Sequence, residues 1–387
     1  MNCIGAPYSF HVHPFLIAAI ESLDDAVADI GRLVSVESPS RDVARVAASA
    51  NSVAELIERE TGLIVELIDS PVGPHVVVRA SARPAVLFLG HHDTVHRAGS
   101  LDERPFTNDG GVLRGPGVFD MKAGIVQAVH ATRILRDSGI DPSHVAMLFT
   151  ADEEVGSKTS RGLVEELARG VDAVLVLEPS ADGGALKVAR KGTGTFEVSI
   201  EGRASHAGLE PEKGINALVE LAHQVQVING FGKPELGTTV TPTVAAAGTT
   251  DNTVPDHASI LVDARVVVPE EKARVESLMN ALRPVVDGAK ITVSGGLHRP
   301  PMHESMSAEL FALAREVARE IDGRDIDGVS VGGGSDGNFT AAIGVKTLDG
   351  LGAVGGGAHG VSEHVIVETI PFRTALVAGI AARIVAG

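Results

Sequence analysis

Acidic and imidazole side chains stand at five points along this chain, each near the end of an apolar run: His91, Asp120, the pair Glu153 and Glu154, Glu178, and His359. Any one of them alone would read as a helix cap or a solvated turn residue. Their recurrence in one kind of place reads differently. Gathering Asp120, Glu153, Glu154 and Glu178 without a cation would bury four like charges, each costing on the order of several kcal/mol. Two divalent cations would balance those charges, so the pattern reads as a dinuclear metal site.

The elements that must position these groups are legible around them. Val86-Leu87-Phe88-Leu89 runs into Gly90-His91-His92-Asp93-Thr94-Val95. Val145-Ala146-Met147-Leu148-Phe149 runs into Thr150-Ala151-Asp152-Glu153-Glu154, and Val174-Leu175-Val176-Leu177 into Glu178-Pro179. Short apolar runs followed by turn residues and helical patterns predict buried parallel strands. Open α/β sheets bind ligands beyond the carboxyl ends of such strands, so three ligand groups are expected at one rim. Asp120 precedes a helical run over residues 121–136, where it is also expected to serve as N-cap. Helical periodicity over 14–35 and 40–61, with strand-like runs at 63–69, 75–79 and 86–89, completes an α/β pattern.

Over residues 188–297 the order changes to strand, helix, strand, strand, helix, strand: 195–201, 216–228, 238–246, 259–266, 270–286 and 290–293. This is the βαββαβ order of a ferredoxin-like layer. A helix at 308–321 follows, and the first style then resumes. The expected fold class is therefore α/β: a catalytic domain with a mixed, largely parallel sheet, from 1–187 and 298–387, and a ferredoxin-like lid or dimerisation domain inserted at 188–297. The glycine clusters Gly115-Pro116-Gly117, Gly332-Gly333-Gly334 and Gly355-Gly356-Gly357 match neither a Walker nor a Gly-x-Gly-x-x-Gly pattern and read as tight turns near ligands.

At 387 residues two domains are the natural expectation. A formal charge of −17 argues against nucleic acid and anionic membranes as partners. No stretch is read as long enough for a membrane span, and the opening residues lack a secretory pattern, so a cytoplasmic protein is expected. Cys3 is the only cysteine, which rules out an internal disulfide and a thiolate-rich metal site. With no Trp and a single tyrosine, Tyr8, stacking surfaces for bases or sugars are scarce, and small polar or aliphatic substrates fit better.

Five ordered motifs make the chain resemble the M20 metallopeptidases, the group that includes glutamate carboxypeptidase, aminoacylase-1, acetylornithine deacetylase and succinyl-diaminopimelate desuccinylase. They are Gly90-His91-His92-Asp93-Thr94-Val95, Gly115-Pro116-Gly117-Val118-Phe119-Asp120-Met121-Lys122, Asp152-Glu153-Glu154-Val155-Gly156-Ser157, Ser205-His206-Ala207-Gly208 and Gly356-Gly357-Ala358-His359-Gly360. The resemblance implies two Zn2+ ions, one on His91 and Glu178, the other on Glu154 and His359, with Asp120 bridging. The ligand types would also accept Co2+ or Mn2+. It implies Glu153 as general base toward water that the metal acidifies. Adjacent side chains of an extended segment point apart, so one glutamate can ligate while the other addresses water. Asp93, two residues beyond His91, can face the same way and orient that imidazole through its second nitrogen.

The resemblance further implies that His206 acts across a homodimer, stabilising the tetrahedral oxyanion in the partner subunit's site. It implies Asn252 as a second substrate-facing residue and Arg299 as the group gripping a free carboxylate. Arg265 reads as structural. His11, His13, His92, His96 and His364 read as surface or packing histidines, Glu363 as a candidate support for His359, and Lys191 and Asp336 as candidate substrate contacts. The reaction implied is hydrolysis of an amide next to a free carboxylate in a small molecule or short peptide, by an exopeptidase or an N-acyl-amino-acid deacylase. The motifs sit closest to the carboxypeptidase branch, but Lys187 does not align with the lysine of glutamate-specific members. A non-catalytic binding relative is the remote alternative.

Overall fold

The computed structural model describes residues 13–79 and 83–387; Cys3, Tyr8 and His11 lie outside them. The chain divides into two compact units. The first runs up to Val188 and includes Ser305–Val329 and Ile343–Gly387; the second comprises Ala189–Glu304 and Ser330–Ala342.

In the first unit a six-stranded sheet has the order Glu66–Ile68, His75–Val78, Val145–Thr150, Val86–His91, Ala173–Val176, Lys346–Leu348. Val86–His91 is parallel to both neighbours, and Lys346–Leu348 is parallel to Ala173–Val176. The two strands at the other edge pair antiparallel, so the sheet is mixed. Val86–His91 and Val145–Thr150 are buried throughout, as unbroken apolar runs covered on both faces require.

Helix Ala123–Asp137 packs on Val43–Thr61, on Leu23–Val34 and on the C-terminal helix Ile370–Ala386. Gly124 makes the close approach at its start possible, because a Cβ there would meet the Leu177 carbonyl oxygen at 2.1 Å. The expectation that no stretch reaches membrane-span length is corrected at Val367–Ala386, which is long and apolar enough but two-thirds buried within the protein. Such all-round apolarity is what a core helix needs. The helix expected from Met121 begins at Ala123, and Lys122 rather than Asp120 occupies its N-cap position.

The second unit holds four antiparallel strands in the order Thr239–Ala247, His257–Val266, Gly192–Glu201, Lys290–Arg299, with helices Ala217–Asn229 and Pro269–Asn280. Element order and strand order are those of a ferredoxin-like layer. Along His257–Val266 every second residue, from Ala258 to Val266, is buried, and these pack with Leu221, Ile228, Val275 and Met279. The helix expected over 270–286 ends at Asn280, because Pro284 has no N–H to continue it.

The second unit also gathers residues 298–304 and 330–342, which the sequence reading placed with the catalytic part. Hydrogen bonds within the unit account for this. Arg190 Nη1 donates to the carbonyls of Gly333 and Gly334, Arg265 Nη1 to that of Gly332, and Asn338 Nδ2 to those of Lys191 and Pro300.

Candidate metal centre

Strand ends deliver the first ligand groups. His91 is the last residue of its strand, Glu178 follows the end of Ala173–Val176 by two residues, and Glu153 and Glu154 follow the end of Val145–Thr150. Gly90 leaves room for Met121, whose Cε would lie 2.5 Å from a Cβ there, and the His91 N–H points to Met121 Sδ at 3.3 Å. Asp120 comes from an irregular turn with non-helical backbone at Asp120 and Met121, joined by a cis peptide. His359 has φ +64°, a left-handed conformation that a non-glycine residue holds at an energetic cost and that is often found at functional sites.

Asp120 stands between the two imidazoles. Its Oδ1 is 3.2 Å from His91 Nε2 and its Oδ2 is 3.3 Å from His359 Nε2. Glu178 Oε1 lies 3.6 Å from the same His91 nitrogen, and Glu154 Oε2 lies 3.3 Å from that of His359. All five expected ligand residues therefore converge in the first unit. The two ends differ in depth, since the His91 side chain is 1% exposed and that of His359 54%.

The donor set fits metal. His91, Asp120 and Glu154 bring ligand atoms within 4.8 Å of one another, as do His91, Glu153 and Glu178. Glu154 Oε1 is buried and has no hydrogen-bond partner among the described residues, so a lone pair is left for a cation. The field is strongly negative. Burial pulls the His91 pKa down, yet bonds to Asp120 and Asp93 and the charge of Glu153 hold it well above the ordinary value. Hydrogen bonds to Asp120 and Glu154 raise that of His359 to about 10. Burial would raise the Asp120 carboxyl, but the two imidazoles hold it below the usual range. A site that draws protons onto two imidazoles is one where divalent cations replace them favourably.

Two expectations change in detail. Glu153 and Glu154 lie in a one-turn 3-10 helix, Glu153–Val155, rather than an extended segment. Three residues per turn set neighbouring side chains about 120° apart, and both carboxylates reach the His91 side of the site. Asp93 orients His91 chiefly through its backbone, since Nδ1 is 2.9 Å from the Asp93 carbonyl oxygen and 3.6 Å from Oδ1. A carbonyl only accepts, so Nδ1 carries a proton toward Asp93, and Nε2 is the nitrogen that faces the site, where a cation would take the place of its proton. The Asp93 carboxylate instead accepts from the Glu153 N–H at 3.1 Å and the Ser40 hydroxyl at 2.7 Å.

In the second unit, the segments carrying His206 and Asn252 are brought together. Ala207 N donates to the Asn252 carbonyl and Val254 N to that of Ser205. His206 Nδ1 accepts the N–H groups of Gly208 and Leu209, so the ring proton sits on Nε2 of an exposed side chain. Arg299 is not a solvated arginine. It is buried, Nη1 donates to Asp336 Oδ1 at 3.0 Å, and its guanidinium lies 5.1 Å from the Phe339 ring centre. Lys191 donates to the Gly237 carbonyl, and Arg265 pairs with Asp263.

Sequence reasoning set Glu363 beside His359 and gave His96 no special role. Glu363 is buried and accepts from His96 Nε2 and from the backbone N–H groups of Gly117, Phe119 and Asp120. Only its spacing of four residues from His359 hinted at involvement. His92 is a buried packing histidine, and its Nε2 donates to the Pro74 carbonyl.

The chain is similar to known proteins along most of its length. The chain is 31% identical to carboxypeptidase G2 of Pseudomonas sp. (strain RS-16) over 372 residues, covering 92% of this chain and 88% of that protein. It is 28% identical to succinyl-diaminopimelate desuccinylase of Thioalkalivibrio sulfidiphilus over 328 residues, covering 79% and 85%. The fold is shared with aminopeptidase PepT of Bacillus cereus (TM-score 0.75, 22% identity, 94% of this chain and 99% of that one). It is also shared with an M20 family metallo-carboxypeptidase of Sulfolobus solfataricus (TM-score 0.73, 15% identity, 95% and 100%). The family model of peptidase family M20/M25/M40 matches residues 87–383, a span running from the His91 strand past His359, and the chain belongs to that family as a metal-dependent hydrolase.

Proposed function

We propose that this chain is a dinuclear zinc hydrolase that cleaves an amide or peptide bond next to a free carboxylate, in the manner of a carboxypeptidase. The observation that carries the reading is Asp120, whose two oxygens reach two imidazoles, each with a carboxylate of its own. His91 and Glu178 would hold one zinc ion and Glu154 and His359 a second, with Asp120 between them, and the pair would supply Lewis acidity and a lowered water pKa. Glu153, anchored through its N–H on Asp93, takes the proton of the attacking water and returns it to the nitrogen of the leaving amine. Asp93 holds His91 in one tautomer.

His206 offers Nε2–H as an oxyanion donor, acting in a partner subunit's site. Homodimerisation is supported by the outer edge strand of the second unit, Thr239–Ala247, which exposes Val244 at 56%, and by exposed Leu218 and Val219 on helix Ala217–Asn229. Arg299, held by Asp336 and Phe339, and Asn252, adjoining the His206 segment, are assigned to the substrate, with Arg299 taking its carboxylate.

An N-acyl-amino-acid deacylase is the second reading, favoured by the desuccinylase relative. The test is a screen of zinc-reconstituted protein, with a chelated control, against matched dipeptides and N-acyl amino acids, detecting released amine. Chelator-sensitive release from dipeptides supports the peptidase, release from N-acyl amino acids alone the deacylase. Two bound zinc ions with no release from either panel would overturn both.

A further inference from the structure

We propose that Glu363, His96 and Arg104 form a positioning brace that ties the Asp120 turn to the His359 segment and so sets the spacing at which both can hold metal. This rests on the metallohydrolase reading above.

The Asp120 turn has no regular secondary structure of its own to hold it, since Asp120 (φ −115°, ψ 90°) and Met121 (φ −138°, ψ 33°) leave the helical region. Glu363 supplies what is missing. Its Oε1 accepts the N–H groups of Phe119 at 2.9 Å and Asp120 at 3.0 Å, and its Oε2 accepts that of Gly117 at 3.0 Å. A buried carboxylate is tolerated when its lone pairs are filled, and a fourth donor, His96 Nε2 at 2.6 Å, completes the set. The residue that bridges the two imidazoles is thus held by its own backbone N–H.

The direction of the remaining bonds is fixed by chemistry. Arg104 only donates, so its Nη2, 3.3 Å from His96 Nδ1, makes that nitrogen an acceptor and puts the ring proton on Nε2, facing Glu363. The other terminal nitrogen of Arg104 donates to the Gly360 carbonyl at 3.1 Å, next to His359 in its left-handed conformation. One chain of bonds therefore runs from the Asp120 turn through Glu363, His96 and Arg104 to the His359 loop. The His359 loop belongs to the more open side of the centre, where its side chain is half exposed and packing does less to hold it.

Zinc affinity tests the brace without reference to any substrate. In the full-length protein, Glu363→Gln presents an amide NH2 to backbone N–H groups and loses acceptors at the turn. Competition with a chromophoric chelator should show zinc affinity lowered by roughly 10- to 100-fold, at an unfolding midpoint close to wild type. The visible absorption of the cobalt-substituted variant should change as well. A folded Glu363→Gln protein with wild-type zinc affinity and cobalt spectrum would overturn the brace. Should that variant fail to fold, Arg104→Met decides, since it keeps Glu363 and its backbone bonds. A loss of roughly three- to tenfold in zinc affinity supports the proposal, and none overturns it. Failure of the wild-type chain to bind zinc would overturn the zinc reading on which the brace rests and is seen before any variant is compared.

Discussion

Replacing Glu153 by glutamine separates proton transfer from metal binding. The amide keeps the volume of the side chain and the bond from the Glu153 N–H to Asp93 Oδ1, while one negative charge leaves a group whose ligand atoms lie within 4.8 Å of those of His91 and Glu178. Glu153 is only partly buried, and at an effective dielectric constant of about 40 a unit charge and a divalent ion at that distance interact by about 3 kcal/mol, or about two decades in zinc affinity. His91, Asp120, Glu154, Glu178 and His359 remain, so both ions should still bind once zinc is raised by that factor. Loss of the proton carrier is a separate cost of about 10²- to 10⁴-fold in turnover. The assay titrates zinc into wild type and Glu153→Gln, counts bound ions by chelator competition, and measures amine release at saturation on the substrate found by the screen. Turnover near wild type would remove Glu153 from the base role. Permanent loss of one ion would make it a ligand instead.

Other perturbations address neighbouring parts of the reading. Mixing His206→Ala with Glu153→Gln subunits should restore roughly a quarter to a half of wild-type activity per dimer if His206 serves the partner's site; no recovery in verified heterodimers would confine His206 to its own subunit. Arg299→Met should destabilise the protein by about 3–5 kcal/mol in urea unfolding, because it strips a buried carboxylate, Asp336, of a cationic partner. Adding Asp336→Leu should recover much of that while leaving KM high, and full recovery of KM would remove Arg299 from substrate binding. His92 has its pKa lowered to about 4 by burial, with Nδ1 lacking a hydrogen-bond partner among the described residues. The unfolded chain binds this proton near pH 6.5 and the folded one only near 4, so the contribution to stability falls as pH drops through that window, by on the order of 3 kcal/mol. His92→Gln should be less sensitive to pH than wild type between 6.5 and 4, and an identical slope would refute this.

The candidate centre was legible in large part because three of its five candidate ligands, His91, Glu154 and Glu178, lie at or just beyond strand ends. Val86–His91, Val145–Thr150 and Ala173–Val176 are local apolar runs, and the rule that parallel strands present their carboxyl ends to ligands converts their sequence into a shared location. Boundaries at proline or at irregular backbone were less so. Pro284 shortened one helix, and the turn through Asp120 delayed another until Ala123. The 3-10 turn at Glu153–Val155 has no signal in hydrophobic periodicity, which carries strand and helix but not a single turn.

Residue types and their local spacing determined the fold class and the ferredoxin-like order of the second unit, because each follows from periodicity over a few residues, and the family motifs marked the candidate ligands. Tertiary structure alone decided which carboxylate is bonded to which partner. Glu363 meets Asp120 from 243 residues away, and Arg299 finds Asp336 across 37. Those pairings arise where the closed fold removes water and leaves each buried charge only the partners that the packing brings within reach.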